Sequence, residues 1–309
     1  MGKLAILFAG QGAQTIGMGK EFYDKFDYVK EIYNKASNIL GYDIAKLCFE
    51  ENDLLNQTRY TQPAILVTSI AIYTVLKKEF EIKPDLLAGF SLGEYSALYA
   101  SDVFNFETIV SLIKKRGELM DIEAVNTPGK MAAIIGLDRD KLMNLCEEVT
   151  KTIGLVKIAN YNCPNQLVVG GIEEAVLAIC ELAKENGAKR AIPLKVSGGF
   201  HTPLMKNASN AMYAEIKKCN YQMQKINIIM NCNADFLNIS ELPQLMKKQI
   251  ESSVYFEDTI KKMLESGIDT FVEIGPGKVL SGFVRKIDNS KKIISIDKLS
   301  DLNEVKSWT

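Results

Sequence analysis

The chain has 309 residues and 34.4 kDa, enough for one large domain or two smaller ones with a substantial core. Apolar residues at 47% and charged residues at 24% exclude a disordered or fibrous chain, and a net charge of −1 gives no global drive toward nucleic acid or an anionic membrane. Six cysteines without a CxxC pair read as reduced cytosolic thiols, and the single histidine, His201, excludes His-rich metal sites and two-histidine mechanisms.

Taken in chain order, the first element is an apolar run, residues 4–9, preceded by Lys3. It is too short for the apolar region of a signal peptide and leads into Gly10-Gln11-Gly12-Ala13-Gln14 instead of a small-residue cleavage site. A buried strand over 4–8 is expected, then a glycine-rich loop and a helix near 20–40. The apolar stretch 63–76 contains Thr68, Ser69 and Thr74 and is shorter than a bilayer span, so a cytoplasmic protein is expected. That stretch predicts a helix over 63–80 with Pro63 in its first turn, where a missing N–H costs nothing. A short strand at 85–90, a helix at 92–100 and another at 106–125 follow, the last ended by Asn126-Thr127-Pro128-Gly129.

The stretch 131–196 has its own pattern. Strands are predicted at 131–136, 156–161, 166–170 and 189–194, with helices at 138–150 and 173–186. That order, βαββαβ, is the ferredoxin-like arrangement. With turn residues on both sides, it predicts a small domain at 128–196 inserted into a larger α/β domain formed by 1–127 and 197–309.

Gly89-Phe90-Ser91-Leu92-Gly93 fits G-x-S-x-G between a predicted strand and a predicted helix. Such an elbow holds a serine hydroxyl at the positive end of a helix, where developing negative charge is favoured. The same residues also suit a plain serine N-cap. A serine hydroxyl needs a base, and His201 in Ser197-Gly198-Gly199-Phe200-His201-Thr202-Pro203 is the only imidazole. Sequence leaves open whether the two meet or whether His201 is an ordinary core or surface residue.

Several motifs occur together and in order: Gly10-Gln11-Gly12-Ala13-Gln14, Gly89-Phe90-Ser91-Leu92-Gly93-Glu94, Arg116, Phe200-His201 and Glu273-Ile274-Gly275-Pro276-Gly277. With them the chain resembles the malonyl-CoA:acyl carrier protein transacylases, over about residues 3–298. The resemblance implies an α/β hydrolase-like core with a parallel sheet and a ferredoxin-like insert. It implies Ser91 as nucleophile, His201 as base and the main-chain carbonyl of Gln249 as orienter of the base. It implies an oxyanion hole from the backbone N–H groups of Gln11 and Leu92. Arg116 would bind the free carboxylate of a malonyl group, and lysine could not reproduce its two parallel donors. Phe200 would fill the space of an α-methyl branch, or serve only core packing. Asn162 would contact the acyl or pantetheine arm, or serve only a hairpin turn. Glu273–Gly277 reads as structural or as part of the cleft rim. One position departs from the family pattern: histidine usually precedes the nucleophile, and Phe90 stands there.

The implied reaction is transfer of malonyl from malonyl-CoA to the phosphopantetheine thiol of acyl carrier protein in fatty acid biosynthesis, through a malonyl-Ser91 ester and with no metal or redox cofactor. Malonyl-CoA and the carrier are the expected partners of a monomer, with no nucleic acid or membrane. Lys189-Arg190, Lys247-Lys248 and Lys261-Lys262 are candidates for a basic rim facing an acidic carrier, or are ordinary solvated residues. The alternatives are a trans-acting acyltransferase or acyl hydrolase of a polyketide pathway, and a non-catalytic carrier-docking module.

Overall fold

The computed structural model describes residues 2–306; Met1 and residues 307–309, the outermost ends of the expected larger domain, lie outside the described residues. Its strands are β1 (Lys3–Phe8), β2 (Leu86–Gly89), β3 (Lys130–Ile135), β4 (Val156–Cys163), β5 (Gln166–Gly171), β6 (Arg190–Pro193), β7 (Asn227–Met230), β8 (Asp235–Phe236), β9 (Val254–Tyr255), β10 (Ile268–Ile274) and β11 (Lys292–Ile296). They form two sheets, with helices filling the connections, so the chain is an α/β protein.

The first sheet runs β11-β10-β1-β2-β7-β8, parallel from β11 to β7, with β8 antiparallel at the edge. Helices cover both faces, which is why β1 is an unbroken apolar run. Its side chains divide by the strand period: Leu4, Ile6 and Phe8 join the largest core, while Ala5 and Leu7 join the core on the opposite face.

The second sheet runs β6-β3-β5-β4-β9. Its first four strands are antiparallel neighbours, in the chain order βαββαβ with helices Arg139–Thr152 and Glu173–Glu185. Ala132, Ile134, Leu167 and Val169 pack beneath those helices, while Met131, Ala159 and Val168 on the alternate positions enter the largest core. The fifth strand, β9, comes from the later part of the chain and pairs parallel with β4. Ser253 beside it donates its hydroxyl to the Ile158 carbonyl at 2.6 Å, and Arg139 forms a two-pronged contact with Asp258. The second sheet is therefore completed by a strand from the same late part of the chain that supplies β7, β8, β10 and β11 of the first.

Local departures from the sequence expectation have identifiable causes. The stretch 20–40 forms two helices, Lys20–Lys25 and Asp27–Leu40, because Phe26 adopts an extended conformation (φ −121°, ψ 117°) between them. The helix expected at 63–80 is Thr58–Phe80, so Pro63 lies inside it and not in its first turn. The additional first turn is held from outside: Asp121 accepts from the Arg59 main-chain N–H at 3.3 Å and from its Nε at 3.0 Å. Strands β7, β8, β9 and β11 had no clear sequence signal, being short or lacking an uninterrupted apolar run. Among the described residues no helix is long and apolar enough to cross a membrane.

Candidate active site

Ser91 stands in the sharp turn between β2 and the helix Gly93–Ala100, with φ 52°, in the left-handed region. Close packing there dictates the two glycines. A Cβ at Gly89 would lie 1.9 Å from the Gly93 carbonyl carbon, and a Cβ at Gly93 would lie 2.2 Å from the Phe8 carbonyl oxygen. Only bare backbone lets the turn seat against β1. The Ser91 hydroxyl consequently sits just before the N-terminus of the helix, with Leu92 at the N-cap position.

The structure brings His201 to this hydroxyl. Its Nε2 is 2.8 Å from Ser91 Oγ, and its Nδ1 donates to the Gln249 carbonyl at 2.8 Å. A carbonyl only accepts, so the proton is fixed on Nδ1 and the lone pair on Nε2 faces the serine. His201 follows the Gly198-Gly199 turn and is itself left-handed, at φ 59°. Burial first, and the Arg116 charge second, push its imidazolium down to a pKa of about 4. At neutral pH it is an uncharged base.

Arg116 comes from the helix Phe106–Asn126 and is 1% exposed, so the basic triplet at 114–116 turns one member fully inward. Its Nη1 donates to Gln62 Oε1 at 2.7 Å, and its Nη2 to Ser91 Oγ at 3.1 Å and to Gln249 Oε1 at 3.0 Å. The guanidinium lies over the Tyr95 ring at 5.4 Å, and its Nε has no partner. These protein partners are neutral oxygens. A buried cation with donors to spare is poised for an anion.

Gln249, on the helix Leu242–Glu251, acts with both ends: its carbonyl orients His201, and its side-chain Nε2 donates to the Ser91 carbonyl at 2.7 Å. The N–H groups of Gln11 and Leu92 donate to no main-chain carbonyl among the described residues. The Gln11 side chain donates to Thr58 Oγ1 at 3.0 Å, which fixes the loop after β1. Asn162, on β4, is buried with its Oδ1 unpartnered. Phe200 is buried in the largest core next to His201. Phe90 is half-buried and packs on Phe256 and Phe283, at 5.4 and 6.2 Å between ring centres, turned into an aromatic cluster.

Of the candidate basic rim, Lys189, Arg190 and Lys248 are exposed, whereas Lys247, Lys261 and Lys262 are paired with Glu251, Glu257 and Asp235. Glu273 is buried and structural: both its oxygens accept main-chain N–H groups at the start of helix Val279–Ile287. Sequence reasoning missed Gln62 and Asn231. Gln62 lies within an apolar helix beside Pro63, and Asn231 follows β7, itself unrecognised; neither belongs to a motif that would single it out.

Residues 6–299 match the acyl transferase domain family. The malonyl CoA-acyl carrier protein transacylase of Bacillus subtilis (strain 168) is 43% identical over 298 residues, 96% of this chain and 94% of that protein. The crystal structure of malonyl CoA-acyl carrier protein transacylase from Clostridium perfringens superposes with a TM-score of 0.93 at 41% identity, covering 99% of this chain and 96% of that one. A malonyl-transacylase in complex with its type II PKS acyl-carrier protein superposes at 0.96 with 33% identity, covering 99% of this chain and all of the other. The chain belongs to the acyl transferase domain family and, within it, to the malonyl CoA-acyl carrier protein transacylases.

Proposed function

We propose that the protein transfers malonyl from malonyl-CoA to the phosphopantetheine thiol of acyl carrier protein in fatty acid biosynthesis, as an acyl-carrier-protein S-malonyltransferase. One observation carries the reading: a single hydroxyl, Ser91 Oγ, meets an uncharged imidazole at 2.8 Å and a buried guanidinium at 3.1 Å. The first makes a nucleophile, and the second selects an acyl group that ends in a carboxylate.

In the first half-reaction Ser91 Oγ attacks the thioester carbonyl and its proton passes to His201 Nε2. The tetrahedral oxyanion is met by the Gln11 and Leu92 N–H groups, each donor being worth about 3 kcal/mol in the transition state. Collapse breaks the C–S bond, and coenzyme A leaves with the proton from His201. In the second, the carrier thiol gives its proton to His201 and attacks the malonyl-Ser91 ester, and Ser91 takes the proton back. No metal or redox cofactor enters either half. The malonyl carboxylate takes over Arg116 donors that otherwise rest on neutral oxygens, whereas an acetyl group would leave those donors with neutral partners only. Asn162 offers its unpartnered Oδ1 to an amide N–H of the pantetheine arm, and Phe200 limits the room for an α-branch.

The same reading takes the first sheet with its helices as a hydrolase-like core and residues 128–196 as a ferredoxin-like inserted domain. The strand order β6-β3-β5-β4 supports the latter. It takes the protein as a cytoplasmic monomer whose exposed Lys189 and Arg190 contribute to docking an acidic carrier. Orientation of the base by a carbonyl, together with a carboxylate-selecting Arg116, favours transfer over an acyl hydrolase.

Brief incubation with malonyl-CoA followed by intact-protein mass spectrometry tests the proposal. One malonyl group should appear on Ser91 and vanish when holo carrier protein is added. A chain that stays unlabelled, or that loses the group to water as fast without the carrier, overturns it.

A further inference from the structure

Ser91 holds a left-handed backbone that a residue with a side chain leaves unless its surroundings prevent it. One side chain grips that backbone from both sides. Asn231 Oδ1 accepts the Ser91 N–H at 2.7 Å, and Asn231 Nδ2 donates to the Gly89 carbonyl at 2.7 Å. Asn231 is fully buried just past β7. Its own N–H donates to Glu94 Oε2 at 2.6 Å, and its carbonyl accepts the Tyr255 N–H from β9 at 2.9 Å. Glu94 is fully buried in the first turn of the helix that follows the serine. The elbow is thus clamped across its bend by a residue that is fixed to the helix on one side and to the second sheet on the other.

We propose that Asn231, anchored by Glu94, is a positioning residue for the nucleophile: it locks the strained Ser91 backbone so that Oγ stays aimed at His201. It also occupies the Ser91 N–H, which leaves the neighbouring Leu92 N–H to face the substrate. The inference rests on the reading of Ser91 as nucleophile and adds to it what keeps that residue in register. Neither Asn231 nor Glu94 hydrogen-bonds the Arg116 guanidinium. Loosening the clamp therefore disturbs nucleophilic attack more than capture of the malonyl carboxylate. A displacement of Oγ by about 1 Å is enough to cost roughly a hundredfold in rate.

The test measures the rate at which Ser91 is labelled by a small fluorophosphonate and by malonyl-CoA, with thermal melts alongside. Asn231→Ala should react about tenfold or more slowly with both reagents, while the malonyl-CoA concentration for half-maximal rate stays within about threefold. Glu94→Ala should also be slow. Glu94→Gln, whose amide oxygen still accepts the Asn231 N–H, should recover at least about threefold over Glu94→Ala. A folded Asn231→Ala labelled within about twofold of the natural rate overturns the inference. Should Asn231→Ala not fold, equal labelling of Glu94→Ala and Glu94→Gln overturns it. Failure of malonyl-CoA to label the natural protein, with fluorophosphonate still reacting, instead overturns the functional reading.

Discussion

At the scale of the residue, Arg116 does two things that can be separated. In the proposed reaction its donors take the malonyl carboxylate, and its charge helps hold His201 uncharged. Replacing it with alanine removes the counter-charge from a buried site, a loss of about 2–5 kcal/mol for a desolvated charge pair. The malonyl-CoA kcat/KM should therefore fall by roughly thirtyfold or more, while neutral acyl-CoA substrates gain relative to malonyl-CoA. The second effect appears in pH dependence. In the natural protein the acid limb of Ser91 labelling should lie near pH 4, because His201 must lose a proton held at a pKa of about 4. In Arg116→Ala one of the two causes of that depression is gone, so the limb moves to higher pH, toward the ordinary imidazole range. Labelling by a neutral fluorophosphonate across the acidic range checks the direction without needing malonyl binding. A limb that stays in place would show that burial alone sets the base.

At the scale of the element, the elbow works because β1, β2 and the helix Gly93–Ala100 approach closer than side chains allow. Gly89→Ala and Gly93→Ala each drive a Cβ into backbone, at 1.9 and 2.2 Å, and nothing there is a flexible side-chain end. Both variants should lose Ser91 labelling and melt several degrees lower, at a cost of about 1–3 kcal/mol or more for overpacking. Gly282, with open space at its Cβ and a place inside helix Val279–Ile287, is the control. Gly282→Ala should keep the chemistry and add roughly 0.5–1 kcal/mol of stability. Differential scanning calorimetry with the labelling assay separates the three.

The glycines also explain what was legible before the structure. Strand, tight turn and helix must follow one another at an elbow, so the chemistry there leaves a short contiguous pattern. His201 was findable because it is the only imidazole. Asn231 and Gln62 were not, because they reach the site by tertiary packing from elements whose sequence reads as ordinary interior. Strand β9 escaped for a similar reason: its two residues pair with β4 from a distant part of the chain, and no local periodicity records that. Pro63 misled in the other direction, since its usual place at a helix start gave way to a turn held by Asp121.

At the scale of the whole molecule, the site lies where the two sheets meet, and of the titratable groups that folding buries there, His201 and Glu94 are the two that titrate between acid and neutral pH. Each links global stability to pH, with opposite sign. His201 has a pKa of about 4 when folded against 6.5 in an exposed imidazole. Between those values the unfolded chain holds more protons, so its contribution to stability grows as pH rises from 4 to 6.5 and is lost on acidification. Glu94 is pushed the other way, from 4.5 up to about 7, by burial against the weaker pull of the Asn231 N–H, Arg116 and Gln249. Between those values the folded chain holds more protons, so its contribution falls as pH rises from 4.5 to 7. Each shift corresponds to about 3 kcal/mol at full extent, and the two windows overlap from pH 4.5 to 6.5, where they offset. Glu94→Gln removes one partner of that balance. Urea unfolding of the natural protein and of Glu94→Gln, measured at closely spaced pH values, should give a difference that changes steadily across the Glu94 window. The variant gains stability relative to the natural protein by up to about 3 kcal/mol as pH rises from 4.5 to 7. Because every other titrating group is shared, a flat difference would mean that the buried carboxyl keeps its ordinary affinity for a proton, and that the elbow is clamped by a carboxylate at every pH at which the enzyme works.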